Sequence, residues 1–252
     1  MGNNQPSFRS SVWCNSYPSL VMVESTRHGG VSTFPFTSMN LGLNTRDLRG
    51  NVQENRRLFC SRIGIYAQQL ADGYQVHEDK IRVADVPGYL EGYDALITDQ
   101  PGIFLAIGIA DCAPVLIYDP VSGSVGAAHA GWRGTVLEIA GKTVRKMQEL
   151  YGTDPAHCLA FIGTCIDAEH FEVGEEVAEH FDMSCKRYDR HRDKYLIDLK
   201  KANKDQLLAC GLKDEHIEVS PYSTVKDNDD YFSYRKEGGN TGRMLAVVGI
   251  RP

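Results

Sequence analysis

Short apolar runs separated by turn residues dominate the middle of the chain. Residues 103–110, 114–118 and 124–130 form such runs, and Asp, Pro and Gly lie in the segments between them. Short runs rich in branched residues and bounded by turn signals are typical of buried β-strands. The same pattern predicts strands at residues 20–24, 95–98, 159–163, 216–219 and 244–250.

Apolar residues recur at intervals of three and four in other segments, which indicates amphipathic helices. The clearest helix is predicted over residues 135–151, and weaker patterns predict helices at 51–63, 174–181 and 198–210. In the helix at 51–63, Arg56 and Arg57 are expected on the solvent side. Because tight turns join consecutive strands, the pattern favours an α+β fold with helices on mixed or antiparallel sheets over a doubly wound parallel fold.

Composition adds limits on the function. The chain has 252 residues, of which 42% are apolar and 24% charged, so it can fill a core and keep a polar surface. Without repeats or a long linker, we expect one domain over residues 1–252. A formal net charge of -6 argues against nucleic-acid binding. The apolar run 103–110 is far shorter than the roughly 20 residues of a membrane helix.

Cysteine usage indicates the compartment. The chain has seven cysteines, an odd number, and no Cys-x-x-Cys pair. This is unlike the framework of a disulfide-rich secreted domain, and the first residues lack the apolar core of a signal peptide. We therefore expect free thiols and a cytoplasmic protein.

A carboxylate and a thiol interrupt the apolar strands at Asp111 and Cys112. His129 closes a later strand, and short connections allow these strand ends to meet in space. With His77 as a third candidate, one Cys and two His can hold a catalytic zinc that leaves one position open for water. The scattered spacing equally fits a turn-capping Asp111, a buried Cys112 and hydrogen-bonded core histidines.

Three glycine-bearing loops carry arginine, at residues 27–30, 131–134 and 234–243. Glycine lets the backbone approach a ligand, and the planar guanidinium group suits phosphate. We interpret these loops as candidate anion or sugar sites, with a solvated turn as the alternative for the last one.

Several motifs occur together and in order along the chain. They are STRHGGVS at 25–32, MNLG at 39–42, QVH at 75–77, YDALIT at 93–98, ADCAPV at 110–115, HAGWRG at 129–134 and FSYR at 232–235. In this combination the chain resembles the YfiH-like, laccase-domain family of purine nucleoside phosphorylases.

The resemblance implies both a fold and an activity. The family has a four-layer α/β/β/α arrangement of mixed sheets, similar to the cytotoxic necrotizing factor-like cysteine hydrolases. Its activities are phosphorolysis of adenosine, inosine, guanosine and methylthioadenosine, and deamination of adenosine, so purine nucleosides and phosphate are the implied partners. Its zinc ligands correspond to His77, Cys112 and His129.

The resemblance also implies site residues. The motif positions expected to line the site are Arg27, Asn40, Gln75, Arg133 and Arg235. We expect Cys112 and His129 to be catalytic together with Asp111, the carboxylate nearest to Cys112 in sequence. Asp111 could shuttle a proton or orient a histidine ligand.

The laccase label can be tested against the supply of ligands. A multicopper oxidase builds its trinuclear centre from many histidines, typically in His-x-His pairs. This chain has eight histidines and no such pair, which excludes a true laccase. Copper at the Cys/His site stays an adventitious alternative to zinc, because copper binds nitrogen and sulfur ligands more tightly.

Two departures from the family pattern and two other functions stay open. Ser223 and His170 stand where the family usually has cysteine, which we interpret as packing drift. One alternative function is a hydrolase that uses Cys112 as nucleophile and His129 as base on an amide of a peptidoglycan precursor. The other is a non-catalytic partner protein that binds nucleoside.

Overall fold

Residues 7–252 are described by the computed structural model, so the start of the N-terminal segment, expected to lack a signal-peptide core, lies outside them. The described residues form fifteen strands: β1 Phe8–Ser10, β2 Leu20–Ser25, β3 Leu70–Tyr74, β4 Ile81–Val83, β5 Gly88–Glu91, β6 Ala95–Thr98, β7 Phe104–Ile109, β8 Ala113–Asp119, β9 Ser124–Ala130, β10 Leu159–Ile162, β11 Glu172–Val173, β12 Lys186–Asp189, β13 Lys194–Ile197, β14 Ile217–Val219 and β15 Met244–Ile250. Their five α-helices are α1 Arg49–Arg62, α2 Trp132–Val136, α3 Ile139–Tyr151, α4 Glu175–Ala178 and α5 Leu199–Ala209.

Two mixed six-stranded sheets carry the fold. Sheet I has the order β1-β2-β15-β7-β3-β5, and sheet II has the order β14-β10-β8-β9-β6-β4. In sheet II, a parallel pair at each edge flanks an antiparallel centre. Sheet I is antiparallel from β1 to β7 and parallel from β7 through β3 to β5. A smaller antiparallel sheet contains β11, β13 and β12. The strands β7 and β8 are joined by a short connection but lie in different sheets, so the segment between them crosses from sheet I to sheet II.

Side chains alternate between two buried layers along each central strand. In β8, Leu116 packs in the core between the two sheets, whereas Val115 and Ile117 pack on the opposite face of sheet II. In β2, Met22 belongs to the core between the sheets and Val23 to the core on the other face of sheet I. Both faces of a strand are therefore apolar, which explains the continuous apolar runs.

Helices cover the two outer faces. Phe59 and Cys60 of α1 pack on sheet I, and Val144 and Met147 of α3 pack on sheet II. The helix α3 approaches β9 so closely that a Cβ on Gly126 would lie 2.8 Å from Met147 Sδ. The order of layers is helix, sheet I, sheet II, helix, and it confirms the predicted α+β fold with four α/β/β/α layers.

Some local predictions are wrong. The predicted helix at 135–151 is divided into α2 and α3, because Glu138 adopts a left-handed φ of 59° between them. In α1, Arg56 is buried instead of facing solvent, with 8% of its surface exposed. The segment predicted as a helix at 174–181 contains only the short α4.

Two further observations concern the cysteines and the membrane. All seven cysteines lie in the described part of the chain and are unpaired. No helix in residues 7–252 is both long enough and apolar enough to span a bilayer.

Candidate active site

The side chains of His77, Cys112 and His129 come together at the crossing between the two sheets. His77 follows β3, Cys112 immediately precedes β8, and His129 is near the end of β9. One potential ligand atom from each residue lies within 4.8 Å of the others. His77 is exposed, Cys112 is half-buried and His129 is buried. The group is therefore open to solvent on the side of His77.

Strand pairing and a glycine explain why Cys112 and His129 are neighbours. In the β8–β9 hairpin, Pro114 pairs with His129, which places Cys112 beside Gly131. A Cβ at position 131 would lie 3.0 Å from Cys112 Sγ and 3.3 Å from His77 Cδ2. The glycine of the HAGWRG motif therefore leaves the space that the three side chains fill.

Asp94 holds both histidines and is a functional residue that the sequence analysis missed. Its carboxylate lies 2.9 Å from His129 Nδ1 and accepts hydrogen bonds from the backbone N–H groups of Val76, His77 and Glu78 at 2.8 to 3.1 Å. Asp94 has no exposed surface. Its signal in the sequence is a carboxylate directly before the buried strand β6, within the YDALIT motif.

Asp94 also explains the backbone at His77. A φ of 61° puts His77 in the left-handed region, which is unusual for a residue other than glycine. The three successive N–H groups that converge on the Asp94 carboxylate hold this conformation. A contact from a carboxylate to a metal-binding histidine fixes the tautomer and the orientation of the ring. With Nδ1 bonded to Asp94, His129 has Nε2 available as a ligand atom.

The charges of these groups are coupled. Burial alone would raise the pKa of the Cys112 thiol, but the adjacent His129 and His77 outweigh it and lower this pKa to about 6. Burial alone would lower the pKa of His129, but Cys112 and Asp94 raise it to about 9. Burial would also raise the pKa of Asp94, yet His129 and the backbone N–H groups lower it. When no metal is bound, Cys112 and His129 therefore favour each other's charged forms, the thiolate and the imidazolium.

The three donors could hold a metal ion. A thiolate and two imidazoles match the donor set that zinc prefers, and a catalytic zinc leaves a fourth position open. The thiolate has a lowered pKa, so it is available as a ligand at neutral pH. The exposed side of the group leaves room for a further ligand from solvent.

A cavity of about 640 Å³ opens over this group. Its walls include the aromatic residues Trp132, Phe171 and Tyr234 and the basic residues Arg56 and Arg243. Small-molecule sites commonly have volumes of roughly 300 to 1,000 Å³ and apolar walls with a few polar groups. The cavity therefore has the size and the lining of a site for a small molecule such as a nucleoside.

Gln75, Arg133 and Arg235 line the cavity, as predicted residues of the site. The Gln75 amide forms two hydrogen bonds with the backbone of Gly108, at 2.8 and 2.9 Å. The exposed guanidinium group of Arg133 stacks on its neighbour Trp132, 4.7 Å from the ring centroid. Arg235 donates long hydrogen bonds of 3.3 and 3.4 Å to the carbonyls of residues 170 and 172. Substrate contacts by these residues stay a prediction.

Arg27 is not among the residues that line the cavity. Its guanidinium group is bonded inside the protein, to the carbonyl oxygens of Thr37 and Asn228 and to the Glu237 carboxylate at 3.0 Å. These contacts tie the loop after β2 to the segment before β15. The donors of Arg27 thus already have protein acceptors, and a contact of Arg27 with substrate stays a prediction.

Asn40 is also absent from the cavity wall, contrary to expectation. It is completely buried, and its amide donates to Thr45 at 2.8 Å and to Asp47 at 2.9 Å. Its Oδ1 accepts the backbone N–H groups of Gly42 and Arg243. Asn40 thus positions two residues that do line the cavity.

Asp111 lines the cavity but does not orient a histidine. Its carboxylate accepts hydrogen bonds from Thr224 Oγ1 at 2.5 Å, Ser233 Oγ at 2.8 Å and the backbone N–H of Arg235 at 2.6 Å. The residue has a left-handed φ of 90° at the point where the chain crosses between the sheets. The orienting role expected of Asp111 belongs to Asp94, whereas proton transfer by Asp111 stays a prediction.

The two departures from the family pattern meet at one residue. Ser223 Oγ donates to Asp167, and His170 Nδ1 lies 2.9 Å from both oxygens of the same carboxylate. The Lys226 ammonium group lies 3.3 Å from Asp167 Oδ1. Since Phe171 lines the cavity, this cluster supports part of the cavity wall.

Comparison with known proteins agrees with the resemblance. A family model described as multi-copper polyphenol oxidoreductase laccase matches residues 21–251. A Deinococcus radiodurans relative named purine nucleoside phosphorylase is 40% identical, over 90% of this chain and 87% of its own. The Escherichia coli purine nucleoside phosphorylase YfiH is 35% identical, over 90% of this chain and 92% of its own.

Solved structures show the same fold. YlmD from Geobacillus stearothermophilus has a TM-score of 0.89 at 34% identity, covering 94% of this chain and 93% of its own. A Bacillus licheniformis protein, YfiH, has a TM-score of 0.88 at 32% identity, covering 93% of this chain and 94% of its own. Because the family model and these relatives match along nearly the whole chain, the protein belongs to the YfiH-like, laccase-domain family.

Proposed function

We propose that this protein is a zinc-dependent purine nucleoside phosphorylase that also deaminates adenosine. The observation that carries the proposal is the meeting of His77, Cys112 and His129 at the wall of a cavity of about 640 Å³. Relatives named purine nucleoside phosphorylase, 40% and 35% identical, support the choice of substrate class. The proposed substrates are adenosine, inosine, guanosine and methylthioadenosine, with phosphate as the second substrate.

The roles of the chain's own residues follow from their contacts. A zinc ion held by His77, Cys112 and His129 would supply a Lewis acid and lower the pKa of water. Asp94 keeps the His129 ring oriented, and the Cys112 thiolate offsets part of the metal charge. Trp132 lies on the cavity wall and offers an aromatic face on which a purine base can stack.

Asp111 is the carboxylate closest in sequence to the metal group and faces the cavity. It is proposed to pass a proton to or from the purine base, as a carboxyl group can in general acid–base catalysis. Its hydrogen bonds from Thr224, Ser233 and the Arg235 backbone fix the position of the carboxylate for that role. Arginines around the cavity supply positive charge for phosphate.

Replacement of Cys112 tests the proposal. We expect Cys112→Ala to lose bound zinc and to reduce adenosine turnover by about 100-fold or more, because a ligand and its charge are removed. The measurements are metal analysis of the purified protein and product identification with and without phosphate. Adenine with ribose 1-phosphate indicates phosphorolysis, and inosine indicates deamination.

A matched control is Cys14→Ala, which removes a half-buried thiol that is not part of the cavity wall. We expect this variant to keep wild-type metal content and turnover. Retention of both zinc and turnover by Cys112→Ala would contradict the site. A wild-type protein that binds adenosine without changing it would favour the non-catalytic partner function.

One observation favours a second candidate function. His129 lies between Cys112 and Asp94, which is the order of nucleophile, base and orienting carboxylate in a cysteine hydrolase. This arrangement would suit hydrolysis of an amide such as that of a peptidoglycan precursor. A chelator discriminates between the functions: the zinc enzyme loses activity when its metal is removed, whereas the cysteine hydrolase keeps it.

A further inference from the structure

Arg243 carries a half-buried positive charge without an acidic partner. It lies at the junction of the 640 Å³ cavity and an adjoining pocket of about 380 Å³ that opens to solvent. Within residues 7–252, Arg27 pairs with Glu237 and Arg56 with Asp72, but no carboxylate lies within ion-pair distance of Arg243. Burying an unpaired charge is unfavourable, so a ligand of opposite charge would stabilise this arrangement.

Only one nitrogen of the Arg243 guanidinium group is bonded to the part of the protein that the structure describes. Its Nη1 donates to the carbonyl oxygens of Thr241 and Gly242 at 3.0 and 2.9 Å. Among the described residues, Nε and Nη2 have no hydrogen-bond acceptor. The guanidinium group is therefore anchored through Nη1, and its edge with Nε and Nη2 is available to a ligand.

The aliphatic part of Arg243 is equally fixed. A Cβ at Gly42 would lie 2.7 Å from Arg243 Cγ, so the absence of a side chain at position 42 makes room for the arginine. Asn40 Oδ1 accepts the N–H groups of both Gly42 and Arg243, at 3.1 and 2.9 Å. Little side-chain entropy remains to be lost when a ligand binds to the free edge.

The other arginines on the cavity wall fit an anion less well. Arg235 is exposed, and its guanidinium group already donates to the carbonyl oxygens of His170 and Glu172. Arg56 is already neutralised by Asp72. Both Arg133 and Arg243 lie over an aromatic ring, Trp132 and Tyr234 respectively. Arg133 is exposed, so an ion pair there would be screened by water, whereas Arg243 is half-buried. Burial lowers the pKa of Arg243, and the neighbouring Tyr234, Cys112 and Asp111 offset this only in part. A dianion at Arg243 would meet a stronger field than at Arg133.

The adjoining pocket is polar and provides a path from solvent. It is lined by Arg46, Thr45 and Asn240, and by Gly238 and Gly239, whose backbones have positive φ angles of 63° and 84°. A small hydrophilic ion can reach Arg243 through it while a nucleoside fills the larger cavity.

We propose that Arg243 binds the inorganic phosphate that cleaves the nucleoside. This assignment rests on the proposed phosphorolysis and specifies its second substrate site. A phosphate oxygen forms the bond to C1′ of the ribose, and the bond from C1′ to N9 breaks with its electron pair going to the purine. The proton lost by the phosphate is the proton that the base gains, so the products are ribose 1-phosphate and the free base.

Arg243→Gln tests the assignment on the zinc-loaded protein. Titration calorimetry with inorganic phosphate should show binding weakened on the order of 10- to 100-fold, because hydrogen bonds between charged groups are lost. The KM for phosphate should rise by a similar factor. The ratio of phosphorolysis to deamination should fall at least about tenfold, since deamination uses no phosphate.

Two further variants complete the test. Arg57→Gln removes one charge from an exposed residue of α1 outside the cavity, and phosphate binding should not change. Arg243→Lys keeps the charge and the aliphatic stem but loses the fork, so it should weaken phosphate binding several-fold. It also provides the measurement if the Gln variant fails to fold.

Several outcomes would overturn the assignment. Phosphate binding within about twofold of wild type in both Arg243 variants would show that another residue holds the ion. Tighter binding of AMP than of phosphate, lost in Arg243→Gln, would assign the site to the phosphate ester of a nucleotide. A wild-type protein that cleaves no nucleoside would refute phosphorolysis itself, whereas cleavage with an unchanged KM in Arg243→Gln would refute only this assignment.

Discussion

The site has a histidine side and a loop side, and a different aspartate forms the central hydrogen bonds of each. On the histidine side, the fully buried Asp94 bonds His129 and the backbone around His77. On the loop side, Asp111 bonds Thr224, Ser233 and the backbone of Arg235. Asp94 therefore organises the metal group, and Asp111 organises a cavity wall.

This difference shows that distance along the chain is a poor guide to which carboxylate supports a ligand. Asp111 is the direct neighbour of Cys112, yet its partners lie 113 to 124 residues away in sequence. Asp94 is 35 residues from His129 and contacts it directly. The antiparallel pairing of β6 with β9 brings Asp94 and His129 together.

The largest expected effect is that of Asp94→Asn on metal binding. The Asn amide keeps only one acceptor oxygen. Its NH2 group therefore takes the place of an oxygen that either pairs with His129 and accepts from the His77 N–H or accepts from the N–H groups of Val76 and Glu78. We expect metal affinity to fall on the order of 10- to 100-fold. Competition between the protein and a chromophoric chelator measures this affinity.

Asp111→Asn is the matched comparison for that experiment. If the histidine side alone organises the metal group, Asp111→Asn should keep metal affinity within about threefold of wild type. Equal losses of affinity in both variants would mean that the two sides act as one unit, and no loss in Asp94→Asn would show that the histidines orient without it.

A smaller effect is expected for Asp111→Asn on the cavity wall. Asn also tolerates the left-handed backbone at position 111, so the change removes charge with little strain. Hydrogen exchange of the Arg235 amide should accelerate about tenfold or more, because its charged acceptor is gone. The KM for nucleoside should rise several-fold, and kcat should fall as well, because the carboxyl group proposed to transfer a proton is removed. Unchanged exchange would show that the wall is held by other contacts.

The central strands could be predicted because their side chains pack into a buried layer on each face of the sheet, which leaves a continuous apolar run in the sequence. Strands β6, β9 and β15 have the predicted bounds, since each is buried on both faces and reads as an apolar run. The edge strands β4 and β5 were missed, because half-exposed residues carry no such run. The break at Glu138 has no periodic signal, since apolar residues continue on both sides of it.

The candidate site was predictable in part. The motifs around His77, Cys112 and His129 predicted a metal site, and the geometry brings these three residues together in a group that could hold a metal ion. Arg56 could not be identified as a cavity residue, because the pattern of α1 places it among solvent-facing positions. The motifs predicted that Asn40 and Arg27 line the cavity. A motif does not show whether a side chain faces a cavity or forms hydrogen bonds inside the protein.

The smallest expected effect is that of Asp167 on the stability of the fold. Asp167 bonds Ser223 and His170 beneath the cavity wall. Burial would raise its pKa, but Ser223, His170 and Lys226 outweigh burial and lower the pKa to about 2. The unfolded value is about 3.9, so the carboxylate stabilises the folded state above pH of about 4, and this contribution is lost as the pH falls towards 2. After allowance for solvent screening, the contribution is about 1–2 kcal/mol.

Asp167→Asn should therefore lower the free energy of unfolding by about 1–2 kcal/mol at pH 7 and by progressively less below pH 4. Urea unfolding at a series of pH values measures the difference from wild type. Because Asp94 and the metal donors are untouched, metal affinity should stay at the wild-type value. A stability difference that is independent of pH would mean that Asp167 acts through packing and not through its charge. A loss of metal would mean that changes in the cavity wall alter the histidine side. It would contradict the proposal that Asp94 and Asp111 organise the two sides independently.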